Sequence, residues 1–201
     1  MLPCPYTADK ARIVVQEMID GISLELVEKR LVTDQLVLTV GYDIENLTRP
    51  EIRKVYKGPV TTDRYGRRVP KHAHGTWNLP RATSSSSELL EAMAALYDKI
   101  VNPALLIRRM SLSACHVVNE KMAKEREQKE TFEQLDLFTD YAKKEAKEKE
   151  EQKKRERERR MQEALLTIKK KYGKNAVLRG MNFEEGATAK ERNGQIGGHQ
   201  A

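Results

Sequence analysis

Between Arg49 and Arg81 nine basic side chains (Arg49, Arg53, Lys54, Lys57, Arg64, Arg67, Arg68, Lys71 and Arg81) meet only two carboxylates. That net +7 within 33 residues equals the formal excess of the whole chain, so the other segments cancel one another. Concentrated positive charge is what a polyanion senses: each phosphate contact releases condensed counterions, and the resulting grip is indifferent to base sequence. Arg108 and Arg109 extend the set from a later strand. The competing reading is an ordinary solvated insertion. Tyr56, Tyr65 and Trp77 are candidates for stacking on bases or sugars, although Trp77, in an alternating run, also suits a core.

A second stretch with chemical content is Gln134-Leu135-Asp136-Leu137-Phe138. It sets three apolar side chains and an amide among residues that are otherwise almost all charged. Neither Met122 to Glu130 nor Tyr141 to Glu150 has the apolar surface to fold around it. An anchor without a local core reads as a docking peptide. Packing as one helical turn is the alternative, but the spacing would point Leu135 and Leu137 apart on a helix.

Other candidates carry less. His72 and His74 lack convergent cysteine or carboxylate partners, so neither a metal nor a cofactor is expected. Cys115-His116 lacks a third catalytic member and reads as a structural pair at a strand end. Ser84 to Ser87 reads as a helix cap, and a helix N-terminus also accommodates phosphate. No catalytic residue is assigned.

The elements that must carry these residues follow from periodicity. Val15, Met18, Ile19, Ile22 and Leu26 recur at helical spacing within Thr7 to Leu31, with Thr7 as N-cap. Leu36 to Tyr42 alternates as a strand with Leu36, Leu38, Val40 and Tyr42 on one face. Gly75 to Leu79 reads as a short strand ended by Pro80. Ser85 to Glu88 has capping-box spacing before a second amphipathic helix that ends at Asn102-Pro103. Leu105 to Ser113 reads as a closing strand with Leu106, Met110 and Leu112 opposite Ile107. The fold class is α+β: a small antiparallel sheet with two helices on one face. After Asn119 the composition changes. Residues 1–119 form the compact domain, 120–142 a linker holding the docking peptide, 143–173 a charged helix and 174–201 an irregular arm. Acid-first i, i+4 pairs such as Glu145/Lys149 and Glu151/Arg155 predict a solvated helix acting as a spacer. Met161, Ala164, Leu165, Ile168 and Tyr172 give it one apolar stripe.

The helix, the strand reaching Gly41-Tyr42-Asp43, the serine-rich cap, the second helix and the strand Leu106 to Leu112 together resemble the little finger domain of Y-family, UmuC-like translesion DNA polymerases. Tyr172 to Asn175, Gly186 to Thr188, Glu191 to Asn193 and Gln195 to His199 are similar to the C-terminus of the UmuC-like proteins of Gram-positive bacteria. Gln134 to Phe138 resembles the peptide by which bacterial polymerases bind the sliding clamp. The resemblance implies a ferredoxin-like little finger that holds DNA by its backbone during damage tolerance and the SOS response, with the clamp and a separate polymerase catalytic body as partners.

Nothing here resembles the palm carboxylates of such enzymes, so the chain is not expected to polymerise DNA alone. The family's first strand is also missing, since Leu2-Pro-Cys-Pro-Tyr6 holds two prolines; a ferredoxin-like order would leave a central slot open, and a three-stranded variant is the alternative. The alternative function is a non-catalytic interaction module using the charged helix. No apolar run is long enough for a membrane span and no signal peptide begins the chain, so a cytoplasmic location without a membrane partner is expected.

Overall fold

The computed structural model describes residues 1–130, 141–196 and 199–200. The chain folds as α+β. Helix α1 (Ala8–Lys29) leads into strand β1 (Leu31–Tyr42), and an insertion follows with α2 (Glu45–Thr48), α3 (Pro50–Val55) and the paired strands β2 (Val60–Thr62) and β3 (Arg68–Pro70). Then come β4 (Ala73–Thr83), α4 (Ser86–Ile100), β5 (Ile107–Cys115), β6 (Val118–Asn119) and α5 (Glu120–Glu130). The long α6 (Tyr141–Tyr172), a 3-10 turn at Gly180–Phe183, α7 (Ala189–Asn193), β7 (Gln195–Ile196) and β8 (His199–Gln200) complete it.

The sheet is antiparallel with β1 central, β4 on one side and β5 on the other; β6 pairs with the start of β1. Leu36, Leu38 and Val40 are fully buried on the helix side with Ile19, Leu89, Met93, Leu96 and Ile107. Alternation along β1 therefore produces one core face, under α1 and α4, and one opposite face of half-buried residues. Gly75 marks the closest approach of α4 to the sheet: a Cβ there would lie 2.8 Å from Ile100 and 2.9 Å from Leu96.

Three expectations change. The sheet has no central slot: β4, β1 and β5 are contiguous, and Leu2 to Tyr6 lies on the outer edge of β5, where the Tyr6 and Ile107 amides exchange 2.8 Å bonds and the Leu2 N–H reaches Arg108 O at 3.0 Å. Pro80 does not end its strand. β4 is an edge strand, and its register with β1 shifts between Asn78 and Thr83, so a residue without an N–H is tolerated. Ile107 does not oppose Met110 and Leu112: the register slips between Arg109 and Ile107 opposite Gly41 and Tyr42, and this bulge brings all three onto the core.

Candidate nucleic-acid interface

A buried amide helps tie the insertion between Tyr42 and Ala73 to the sheet, beside the Asp43 N–H bond to Leu106 O and the packing of Ile52 and Tyr56 on the core. Asn46, fully buried, donates from Nδ2 to Asp43 O and Leu106 O, both at 2.8 Å, and accepts the Leu106 N–H at 2.7 Å. The basic insertion is thereby fixed beside the start of β5, where Arg108 and Arg109 emerge. Pro50 opens α3 at its first turn, where its missing N–H costs nothing. Tyr56 joins the core margin and donates its hydroxyl to Pro59 O at 2.8 Å. Beyond it, β2 and β3 form a short hairpin turned by Asp63 to Gly66. The Gly66 N–H reaches Asp63 O at 3.0 Å, and Gly66 takes φ 78°, the left-handed conformation that such a turn requires.

The candidate cations divide by partner. Arg53, Lys54, Lys57, Arg68, Lys71 and Arg109 are exposed, and their charged groups make no ion pair among the described residues. Arg49 pairs with Glu45 at 2.5 Å, Arg67 with Asp63 at 2.7 Å, and Arg108 with Asp43 at 3.7 Å. Hydrogen bonds from the Arg67 side chain, then from backbone N–H groups, hold the Asp63 carboxyl below its ordinary range. Arg64 hydrogen-bonds the Tyr65 hydroxyl. Arg81 does not join the group. It lies eight residues along β4 from Ala73, about 26 Å at strand rise, and pairs with Glu88 beside a cleft of about 510 Å³ lined by Trp77 and Leu79.

The face of the sheet opposite the core continues from this cationic end. Gln35, Val37, Thr39 and Gly41 run down its centre, flanked in register by His74, Thr76 and Asn78 of β4 and by Arg109, Ser111 and Ser113 of β5. Gln35 Nε2 donates to Asn78 Oδ1 at 2.9 Å, and Thr39 Oγ1 lies 2.9 Å from His74 Nδ1. Most side chains in these rows are short and polar, and Arg109 is their one arginine or lysine.

The remaining candidates have structural surroundings. Trp77 is half-buried against the core. His72 is exposed, and among the described residues no group of three or more His, Cys, Asp or Glu converges. His116 follows the end of β5 at φ 51° and lies 2.9 Å from Asp34. Gln134, Leu135, Asp136, Leu137 and Phe138 lie outside the described residues.

The serine cap has a partner that the sequence did not announce. Ser85 accepts the Glu88 N–H at 3.3 Å, as capping-box spacing predicts, but Glu88 turns to Arg81. Glu158 of α6 instead accepts from Ser85 Oγ at 2.6 Å and from the Ser87 N–H at 2.8 Å, supplying negative charge at the N-terminus of α4. Gln162, 3% exposed, donates to Ser84 O at 3.0 Å and Ser86 Oγ at 2.8 Å. Arg159 reaches Glu120 at 3.3 Å; burial pushes the Glu120 carboxyl up, but the Lys124 hydrogen bond and the Arg159 charge bring it below the ordinary range. The later part of α6 is thus seated on the domain by polar contacts, not a free spacer. Its predicted apolar stripe faces outward, with Met161, Ile168 and Tyr172 exposed.

The arm after Tyr172 is likewise ordered by one buried acid. The Glu17 carboxylate, on the outer side of α1, accepts from Asn182 Nδ2 and the Thr188 N–H at 2.9 Å, from Thr188 Oγ1 at 3.2 Å and from Arg192 at 3.4 Å. Arg179 pairs with Asp20 at 2.7 Å, and Lys10 with Glu185 at 2.5 Å. The only sequence signal was an acidic residue three positions before the Asp20 carboxylate on a helix read from its apolar stripe alone.

No protein-family model, curated protein or solved structure matches this chain. Among the described residues no helix is long and apolar enough to cross a membrane.

Proposed function

We propose that this chain is a DNA-binding module of translesion synthesis: a little finger-like domain that holds primer–template DNA by its phosphates and is tethered to the sliding clamp by Gln134 to Phe138. The observation that carries the reading is a set of six exposed cations, without an ion-pair partner among the described residues, at the end of the sheet where the insertion leaves β1 and β5 begins. Phosphates would meet Arg53, Lys54, Lys57, Arg68, Lys71 and Arg109, and the short polar side chains of the face would let the backbone approach without selecting a sequence. The domain holds DNA and a separate catalytic body supplies nucleotidyl transfer, so primer extension by the chain alone is blank. A cytoplasmic location belongs to the same reading.

The test is a fluorescence titration with duplex DNA over a range of salt. Affinity falls steeply and linearly on a log–log plot if phosphate contacts dominate; salt-insensitive or absent binding removes the proposal. For the clamp, Leu137→Ala with Phe138→Ala abolishes binding while the fold persists, and retained binding discards the peptide. The second reading, an interaction module built on α6, draws on the exposed Met161, Ile168 and Tyr172. Partner binding lost on changing Ile168 and Tyr172 to Ser, with no measurable DNA affinity, would favour it.

A further inference from the structure

We infer that the tip of the β2–β3 hairpin is a stacking site for an unpaired nucleobase, with Tyr65 as the plate. This rests on the DNA-holding reading and assigns the tip a preference within it: DNA that carries a single-stranded stretch beside the duplex is favoured over blunt duplex.

Tyr65 is 63% exposed at the third position of the turn. A large aromatic in solvent is unremarkable when it swings freely, but this one is held. Asp63 Oδ1 accepts the Tyr65 N–H at 2.8 Å and the Arg67 N–H at 2.9 Å, and Asp63 Oδ2 takes Arg67 Nε at 2.8 Å. The turn beneath the ring is therefore cross-braced at three points. The Arg64 guanidinium lies 4.7 Å from the ring centroid and that of Arg67 5.1 Å, and Arg64 also bonds the phenol oxygen. Ring and cations form one preassembled unit, so little rotamer freedom is left to lose on binding.

The chemistry of that unit selects its ligand. Two guanidinium groups repel a cationic guest, which rules out the ammonium ligands that aromatic cages take. They favour a flat π-system with negative charge beside it, and a nucleotide has both. Bases inside a duplex are already stacked on both faces, so the plate can meet an unpaired base freely, and in a duplex only the outer face of a terminal pair. The hairpin is three residue pairs long, Val60 with Pro70 through Thr62 with Arg68, which carries the tip about 10 Å beyond its base. That reach keeps Tyr65 clear of the phosphates engaged by Lys57 and Lys71 at the foot of the same hairpin.

The experiment uses the full chain with two DNA substrates, a blunt duplex with 2-aminopurine at an interior pair and the same duplex with a single-stranded overhang that carries the 2-aminopurine. The overhang substrate binds more tightly and its 2-aminopurine fluorescence changes on binding, whereas the blunt duplex gives no such change. Tyr65→Ala lowers overhang affinity about five- to tenfold and abolishes the fluorescence change, Tyr65→Phe retains both, and neither alters the salt slope of blunt-duplex binding. Equal loss on both substrates, or Tyr65→Phe behaving like Tyr65→Ala, overturns the stacking site and leaves the DNA reading standing. Wild-type protein that binds neither substrate overturns that reading, and the site with it.

Discussion

The insertion after β1 and the stretch after Tyr141 are both rich in arginine and lysine, yet their cations end with different partners. In the C-terminal stretch five of them meet carboxylates of residues 1–120: Arg155 pairs with Glu88, Arg159 with Glu120, Lys170 with Glu28, Arg179 with Asp20 and Arg192 with Glu17. Residues 1–48 carry eight acids against four bases, and that surplus holds the arm against α1. In the insertion, Arg53, Lys54, Lys57, Arg68 and Lys71 are exposed and have no ion-pair partner among the described residues. Segment charge identifies where cations are concentrated; pairing decides whether they are free to meet a second polyanion.

The largest effect that separates the two regions is on DNA affinity. Changing Arg53, Lys54, Lys57, Arg68 and Lys71 together to Gln lowers duplex affinity by roughly 10²- to 10³-fold and reduces the log–log salt slope by about 4. The same change at Arg155, Lys170 and Arg179 leaves the slope where it was. Equal losses from both sets would erase the distinction.

Next in size is the buried acid under the arm. Glu17→Ala leaves the Thr188 N–H, the Asn182 amide and the Arg192 guanidinium without their shared acceptor. A loss of about 3 kcal/mol in urea unfolding is expected, with early proteolysis between Gly180 and Gly194. DNA affinity should not change. An unaltered urea midpoint would show that the arm needs no such clasp.

The smallest effect tests the brace under Tyr65. Asp63 has its carboxyl held below the ordinary aspartate value of 3.8 by Arg67. A depressed folded-state value means that the brace contributes fully above that ordinary range and is lost as the pH falls through the lower, folded-state value. The Tyr65 and Arg67 amide resonances should therefore stay constant from neutral pH through the usual carboxylate range and move only below it. Movement at or above 3.8 would show an unbraced turn.

Periodicity made the two-layer core legible, because α1, β1, α4 and β5 each bury a face that repeats at helical or strand spacing. It failed wherever a single polar residue does the positioning. Asn46 and Glu17 sit in sequence like any loop amide or surface acid, and only the partners brought from positions 106 and 182–192 show why they are buried. The bulge opposite Gly41 also escaped notice, since strict alternation assumes an unbroken register. The cations of the candidate interface were all legible as charges. That Arg81 points away from them was not, because strand length and not sequence distance separates it from the insertion.

The seating of α6 has a mechanical consequence. Arg155, Glu158 and Gln162 clamp the helix to the cap of α4, while Lys149 to Lys154 are exposed. From Arg155 back to Tyr141 the axis runs about 20 Å at helical rise, so the clamp sets the length and the phase with which the start of the helix stands off from the cap of α4. Removing seven residues between Tyr141 and Arg155 would draw the start of the helix in by about 10 Å while keeping nearly the same side uppermost; removing five would swing it by roughly half a turn.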